Sequence, residues 1–252
     1  MISSPELVIQ DVTVWMESLL VLDNVSLKVY PEEIITILGP SGCGKSTLLS
    51  VIAGLFKPSQ GEIKMHDSLI TGSMGHVSYM TQKDLLLPWR SILDNVSLPM
   101  VLRGVSWKEA REKASPYFAL FGLEGFESSY PYELSGGMKQ RAALLRTYLC
   151  DKPIMLLDEP FGRLDAITKR TMQNWLLEIA LKMKATIIMV THDVEEAIFF
   201  SDRIYVFSKL PGRVLHEIPV SIPKPRSTSM MNSEMVNPLR EEILSLLQPG
   251  LI

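Results

Sequence analysis

The chain has 252 residues, of which 46% are hydrophobic and 21% are charged, with a formal net charge of −3. This composition is typical of a globular protein with a sizeable core, and it excludes a wholly disordered chain or a fibrous repeat. The 25 basic and 28 acidic residues give no general electrostatic reason to bind nucleic acid, so we expect no nucleic-acid partner.

Strand-like and helical segments alternate along most of the chain. Residues 171–183 carry an apolar stripe at helical spacing, which predicts a helix with one face in the core. Alternation of strands and helices predicts an α/β fold with a central sheet that is covered by helices on both faces. Segments rich in β-branched residues predict strands at Glu33–Leu38, Glu62–Met65, His76–Met80, Ile154–Leu157, Thr186–Val190, Arg203–Phe207 and Arg213–Pro219.

Two regions depart from this alternation. Residues 84–150 are helical in pattern, contain no predicted strand and are interrupted by proline and glycine, which predicts a helical subdomain inserted into the α/β core. Residues 221–236 are polar and rich in Pro, Ser and Met, and a last helix is predicted with Asn237 as its N-cap. We therefore predict a main domain over 1–220 and a C-terminal extension over 221–252 that carries a terminal helix.

A glycine-rich segment follows the strand that ends at Leu38 and precedes an amphipathic helix over 47–55. It fits the pattern G-x4-G-K-S, in which backbone amides and the helix N-terminus bind phosphate oxygens. Lys45 is expected to reach the β- and γ-phosphates, and the Ser46 hydroxyl is expected to hold Mg²⁺. The predicted nucleotide-binding residues of this segment are Gly39, Pro40, Ser41, Gly42, Cys43, Gly44, Lys45, Ser46 and Thr47.

Two adjacent acids, Asp158 and Glu159, end a predicted buried strand. On its own, such a pair more often starts a loop. Downstream of a phosphate-binding loop, the first acid is placed to reach Mg²⁺, and we assign this role to Asp158. Glu159 is then placed to orient or deprotonate a water that attacks the γ-phosphate.

A second glycine-containing helix start lies at Ser135, Gly136 and Gly137. Ser135 can cap the helix that follows, and the two glycines leave backbone amides accessible to an anion. From these residues alone, capping and anion binding are equally plausible.

With these motifs in order, the sequence resembles the ATP-binding subunit of ABC transporters, whose signature is LSGGQ-like and reads LSGGM from Leu134 to Met138. The match runs from about Leu7 to Val220 and includes Gln82 and His192 at family-like spacing. The resemblance implies an ABC ATPase fold: a P-loop NTPase core sheet flanked by helices, an antiparallel β subdomain and the inserted helical subdomain. It also implies ATP and Mg²⁺ as cofactors and ATP hydrolysis as the reaction.

The resemblance implies a homodimer in which two copies pair head-to-tail. Ser135, Gly136 and Gly137 of one copy would then contact the γ-phosphate held by the other copy. Asp165 would make a further contact across the dimer, beside Arg163, which adds bulk and charge where the family usually has a small residue.

Three more residues take roles that the resemblance implies. Gln82 would sense Mg²⁺ and the attacking water, and His192 would clamp the γ-phosphate and position the water of Glu159. Trp15 resembles the aromatic residue that stacks on adenine, with a buried core tryptophan as the alternative.

Weaker motifs at residues 87–89, 95–99 and 218–226 resemble the nitrate/sulfonate/taurine branch of importer ATPases. That branch implies a separate integral-membrane permease, a periplasmic or lipid-anchored substrate-binding protein, and a peripheral position on the cytoplasmic face of the membrane. It also includes transporters of thiamine-precursor pyrimidines, so the solute is not determined. An exporter motor is an alternative; an ABC ATPase of DNA repair or translation is disfavoured because the chain has neither a long coiled-coil insertion nor a second cassette.

Two local hypotheses follow from the motifs. Cys43, next to inward-pointing amides and Lys45, is expected to favour the thiolate and to react with maleimide. Leu85, Leu86, Leu87 and Trp89 are expected either to receive a short cytoplasmic helix of the permease or to pack in the core of the helical insert.

Overall fold

The computed structural model describes residues 4–162, 164–227, 230–232 and 234–247. Arg163, and with it the expectation of added bulk beside Asp165, lies outside the described residues. The strands are β1 Leu7–Met16, β2 Leu19–Val29, β3 Ile34–Leu38, β4 Gln60–Met65, β5 Ser68–Leu69, β6 Ser78–Met80, β7 Ile154–Asp158, β8 Thr186–Thr191, β9 Arg203–Phe207 and β10 Val214–Pro219. The helices are α1 Lys45–Ile52, α2 Ile92–Leu102, α3 Trp107–Ala114, α4 Tyr117–Leu120, α5 Gly136–Tyr148, α6 Ala166–Lys182, α7 Val194–Phe200 and α8 Asn237–Leu247.

The larger sheet has six described strands in the order β10-β9-β3-β8-β7-β6, and only β10 runs antiparallel to its neighbour. Every residue of β3, β7 and β8 is buried, as expected for parallel strands covered on both faces. Alternate residues along these strands belong to two separate apolar clusters. The first cluster also contains residues of the inserted helices and of α6 and α7, and the second contains residues of α1 and of the smaller sheet. The predicted α/β sheet is thus confirmed.

The smaller sheet is antiparallel, in the order β2-β1-β4-β5, and the strand predictions miss its two longest members. No strand is predicted before Glu33, yet β1 and β2 lie there. The reason is local irregularity: their pairing shifts register between Ile9 and Val12, and Asp11 has a φ of 52°. A bulge of this kind breaks the alternation of buried and exposed residues on which strand prediction depends.

The helices α2 to α5 follow one another between β6 and β7, with no strand among the described residues of that interval. This agrees with a helical insertion, although the proposed division of the chain into domains remains a prediction. The terminal helix α8 begins at Asn237 itself rather than after it, and its Ile243 is fully buried against the main body. Over the described part of the chain, no helix has the length and apolar character to span a bilayer.

Candidate nucleotide-binding site

Four neighbouring strands deliver the predicted site residues to one edge of the larger sheet. The glycine-rich loop follows β3, His192 follows β8, Asp158 and Glu159 close β7, and Gln82 follows β6. Because β3, β8, β7 and β6 are adjacent and parallel, their carboxyl ends meet at the same edge, where open α/β sheets bind ligands. The structure therefore brings these residues together.

The glycine-rich loop places a buried cation at this edge. Gly42 and Gly44 have φ values of 79° and 102°, which suit glycine, and α1 starts directly at Lys45. Lys45 is only 5% exposed, and its Nζ donates to the carbonyl oxygens of Gly39 at 2.8 Å and Pro40 at 2.9 Å. No ion pair of Lys45 occurs within the described ranges. A buried ammonium group without an ion-pair partner suits a phosphate.

A buried anion lies next to the start of α1. The Ser46 Oγ donates to Asp158 Oδ1 at 2.9 Å, and the Tyr79 hydroxyl donates to Asp158 Oδ2 at 3.3 Å. Burial raises the pKa of Asp158, more than the hydrogen bonds from Ser46 and Tyr79 lower it. Burial and the neighbouring Asp158 raise the pKa of Tyr79 to about 12, so its phenol stays protonated and donates. Tyr79 lies in a predicted strand, and nothing in its sequence context marks it as part of the site.

Glu159 lies between Gln82 and His192. Gln82 Nε2 donates to Glu159 Oε2 at 3.1 Å, and His192 Nδ1 lies 3.2 Å from Glu159 Oε1. A neutral His192 makes this contact as a donor only when its proton is on Nδ1. Glu159 has a φ of 44°, and its amide donates to the Val190 carbonyl at 3.1 Å. Each carboxylate oxygen of Glu159 thus has one side-chain partner, Gln82 for Oε2 and His192 for Oε1.

Of these groups, Lys45, Ser46, Gln82 and Glu159 line an open cleft of about 350 Å³, whereas Asp158 and His192 are not part of its lining. Val21 of β2 forms part of the cleft wall, and no motif in the sequence marks it. Trp15 pairs with Leu20, the residue before Val21, and it is 47% exposed, so the alternative of a core tryptophan is wrong. Stacking of Trp15 on adenine stays a prediction. The lining residues are Val21, Ser41, Gly42, Gly44, Lys45, Ser46, Thr47, Gln82 and Glu159.

The signature residues lie outside this cleft. Ser135 caps α5 by accepting from the Met138 amide at 3.3 Å, while Ser135 and Gly136 remain exposed. Gly137 is buried, and a Cβ there would lie 2.9 Å from Thr168 Cγ2, so α5 packs closely on α6. Contact of these residues with a nucleotide stays a prediction, because none of them borders the cleft of its own chain.

Asp165 forms the start of α6 and is exposed. Its Oδ1 accepts from the backbone amides of Ile167 and Thr168, both at 3.1 Å. Hydrogen bonds from Thr168, and then from Ile167, lower the pKa of Asp165. The side chain therefore carries a charge and acts as an N-cap, and its contact with a second copy stays a prediction.

The expectation of a reactive Cys43 thiolate is wrong. The side chain is only 1% exposed, and burial raises the pKa of its thiol more than the nearby Lys45 lowers it. The sulfur belongs to the second apolar cluster, beside β3.

The apolar segment after Gln82 divides into buried and exposed residues. Leu86 is 7% exposed and packs in the core of the inserted helices. Trp89 is 71% exposed and Leu85 is 57% exposed. The core alternative is therefore right for Leu86 only, while Leu85 and Trp89 remain available to a partner.

Residues 22–162, more than half of the chain, match the ABC transporter family. This chain belongs to that family. It is 43% identical over 229 residues to the formylaminopyrimidine import ATP-binding protein of Halalkalibacterium halodurans, covering 90% of each chain. It is 40% identical over 230 residues to the aliphatic sulfonates import ATP-binding protein of Bacillus cereus, covering 91% of this chain and 89% of the relative.

A solved ABC cassette has the same fold. It is a dimer in a post-hydrolysis state bound to ADP and Pi, with a TM-score of 0.74 and 30% sequence identity over 86% of this chain and 100% of that one. The ABC ATPase fold and the family's ATPase activity are thus confirmed for this chain, as is its resemblance to the ATP-binding subunits of importers.

Proposed function

We propose that this ABC ATPase powers the uptake of a small solute through a separate integral-membrane permease. The observation that carries the proposal is a pair of buried, oppositely charged groups, Lys45 in the cleft wall and Asp158 hydrogen-bonded to Ser46 of that wall. Neither forms an ion pair in the described chain. A nucleotide triphosphate with a divalent cation has the charges that complement both groups.

The residues present fit both cofactors. A hydroxyl and a carboxylate, from Ser46 and Asp158, are the hard oxygen ligands that Mg²⁺ prefers, and Gln82 adds an amide oxygen nearby. The backbone amides of the glycine-rich loop and the Lys45 ammonium would hold the ATP phosphates. When bound, Mg²⁺ supplies positive charge to the β- and γ-phosphate oxygens.

In hydrolysis, Glu159 accepts a proton from the attacking water. Its carboxylate is already oriented by Gln82 and His192, so its free lone pairs face the cleft. Lys45 neutralises charge on the phosphates. Its ammonium is held by two carbonyl oxygens and has a long contact of 4.0 Å with Cys43 Sγ, which a phosphate oxygen would replace as the stronger acceptor. His192, whose side chain is half exposed, is accessible to the γ-phosphate.

The active form that we propose is a head-to-tail homodimer. In it, Ser135, Gly136 and Gly137 of each copy complete the cleft of the other, and Asp165 lies at the interface. The exposure of Ser135, Gly136 and Asp165 supports this arrangement, because none of them borders the cleft in its own chain. The related solved cassette is also a dimer.

Membrane attachment would come from the permease, with the chain on the cytoplasmic face and a periplasmic or lipid-anchored protein that delivers the solute. The exposed Leu85 and Trp89 support a docking surface that opens directly after Gln82. Relatives named for formylaminopyrimidine and for aliphatic sulfonates support a small nitrogenous or sulfonate solute.

Reconstitution tests this proposal. The chain, its permease and its binding protein are placed in proteoliposomes, with MgATP on the side that carries the chain. We expect ATP hydrolysis to rise when the binding protein is loaded with a sulfonate or a formylaminopyrimidine, and labelled solute to accumulate on the side that carries the chain. Solute movement in the opposite direction would instead indicate an exporter, and hydrolysis without solute movement would contradict a transport role.

A further inference from the structure

The helix α7 begins two residues after His192. Its first turn forms hydrogen bonds with Thr191 and Asp193, the residues on either side of His192. Thr191 Oγ1 donates to Glu196 Oε2 at 2.5 Å, and Asp193 Oδ1 accepts from the amides of Glu195 at 2.9 Å and Glu196 at 3.2 Å. His192 therefore stands on a short stretch of backbone that is fixed to the first turn of α7. Any shift of α7 moves His192 relative to Glu159.

One side of α7 is tied to α6. Lys169 Nζ lies 2.7 Å from Asp193 Oδ2 and 2.7 Å from Glu196 Oε1, and Glu196 is buried. Hydrogen bonds from Lys169, together with its charge and the amides of α7, lower the pKa of Asp193 despite burial. These charges are thus paired, and α6 holds the start of α7.

The end of α7 is tied to the C-terminal extension. Arg226 is 4% exposed, and its NH1 donates to the carbonyl oxygens of Ile198 at 2.7 Å and Ser201 at 2.7 Å. Its other donors reach the carbonyl oxygens of Val220 at 3.2 Å and Ile222 at 2.7 Å. A buried guanidinium that bonds the final carbonyls of a helix fixes the position of that helix end.

The start of α7 is tied to the same extension. Arg240 of α8 donates to both oxygens of Glu195, in the fork geometry that suits a carboxylate. Arg240 also donates to the Met231 carbonyl at 2.6 Å and to Asn237 Oδ1 at 2.6 Å, which holds the guanidinium in place. Two residues of the extension thus hold the two ends of α7.

We propose that the C-terminal extension, through Arg240 and Arg226, is a positioning element for His192 in ATP hydrolysis. It holds α7 so that His192 stays within contact of Glu159. None of its described residues lines the cleft, although Leu246 and Leu247 of α8 border a separate pocket together with Pro40 of the glycine-rich loop. This inference rests on the ATPase activity contained in the proposed function, and it is independent of the solute and of the direction of transport.

The test uses the full-length chain with Arg240→Gln, Glu195→Gln, the double variant and Arg240→Lys. Lys113→Gln is the matched control, because it removes an ion pair to Glu109 of α3, away from α7. We expect Arg240→Gln and Glu195→Gln each to lower kcat about tenfold, with KM for MgATP and the Kd for ATP within about twofold of the wild type. Arg240→Lys should restore most of kcat, since it keeps the charge beside Glu195.

The double variant decides whether Arg240 acts through Glu195. We expect its kcat to match that of either single variant, because both substitutions break the same contact. The proposal is overturned if the losses of kcat in the two single variants add in the double variant. It is also overturned if the single variants have the same kcat as the Lys113→Gln control, or if they lose ATP affinity and thermal stability in parallel with kcat. A wild-type chain that binds no ATP would overturn the proposed function as well, whereas ATP binding with an unaltered kcat in the variants overturns the positioning role alone.

Discussion

Ser46 and Asp158, which are 112 residues apart in the sequence, share a hydrogen bond of 2.9 Å between Oγ and Oδ1. This bond joins the start of α1 to the end of β7. The carboxylate has hydroxyl partners but no ion pair, and its pKa is raised by burial. The site therefore holds a negative charge that a bound cation would stabilise.

Asp158→Asn should weaken the binding of Mg²⁺ and should stabilise the folded chain in the absence of nucleotide. Folding raises the pKa of this carboxyl, so keeping it charged at neutral pH lowers the stability of the folded chain. This loss of stability disappears once the pH falls below the pKa of the carboxyl in the unfolded chain. Removing the charge should therefore raise Tm at pH 7. The gain should shrink towards pH 4, measured by thermal unfolding in EDTA. An equal gain at both pH values would contradict a charge effect.

Glu159→Gln should abolish hydrolysis and preserve ATP binding. The amide keeps the shape but cannot accept a proton, so we expect turnover to fall at least about 100-fold in a phosphate-release assay. The variant should form a stable dimer with ATP in size-exclusion chromatography. Glu62→Gln, which changes an exposed acid of the smaller sheet, is the control and should behave like the wild type. Normal turnover of Glu159→Gln would remove Glu159 from the proposed role.

Cys43 should resist modification in the folded protein. The chain has two cysteines, so Cys150→Ala isolates Cys43. Because the thiol is buried and its pKa is raised, maleimide should label it at least about tenfold more slowly in the native state than after unfolding, with acceleration only at alkaline pH. Cys43→Ala should bind ATP normally, since backbone amides hold the phosphates. Fast native labelling that MgATP prevents would indicate an exposed thiolate instead.

Trp89→Ala should separate the chain from its permease without affecting folding. The side chain is 71% exposed, so its loss removes no core contact. A buried aromatic anchor contributes about 2 kcal/mol to an interface, which corresponds to about a 30-fold weaker affinity. Leu69→Ala, which shortens another exposed apolar residue, should leave permease binding unchanged in co-purification. Leu86→Asp is unsuitable, because Leu86 is a core residue.

Trp15→Ala should weaken ATP binding if the indole stacks on adenine. Stacking of a base on an aromatic ring contributes about 1–3 kcal/mol, so we expect Kd for ATP to rise about tenfold. Trp15→Phe should restore most of the affinity. Inorganic triphosphate, which has no base, should bind wild type and variant equally well; a matching loss for both ligands would point to a structural effect.

The sequence alone predicts which residues meet at one edge of the larger sheet, because each of the motifs is local. The glycine-rich loop needs only consecutive residues, and the acids Asp158 and Glu159 directly follow a buried strand. Contacts between distant side chains are different. Tyr79 on Asp158, and Arg226 on the end of α7, join residues whose own neighbours in the sequence give no sign of the contact.

The strands β1 and β2 are missed for another reason. Positive φ angles at Asp11 and Asn24 let the strands bulge, which places consecutive polar residues within otherwise alternating segments. The pattern is then weakened although the strands are intact. The environment of the Cys43 thiol cannot be predicted from the sequence, because the sequence shows its neighbour Lys45 but not the apolar side chains that pack against it.

The strand β6 lies at the edge of the larger sheet, and the helices α2 to α5 form the connection between β6 and β7. Such a connection can change length or surface without disturbing β3, β8 and β7, which carry the glycine-rich loop, His192 and the two acids. A surface that could meet a membrane partner is thereby separated from the groups at the ends of the parallel strands. A lineage could exchange residues 84–130 to serve a new permease and keep both those groups and the proposed signature residues Ser135, Gly136 and Gly137.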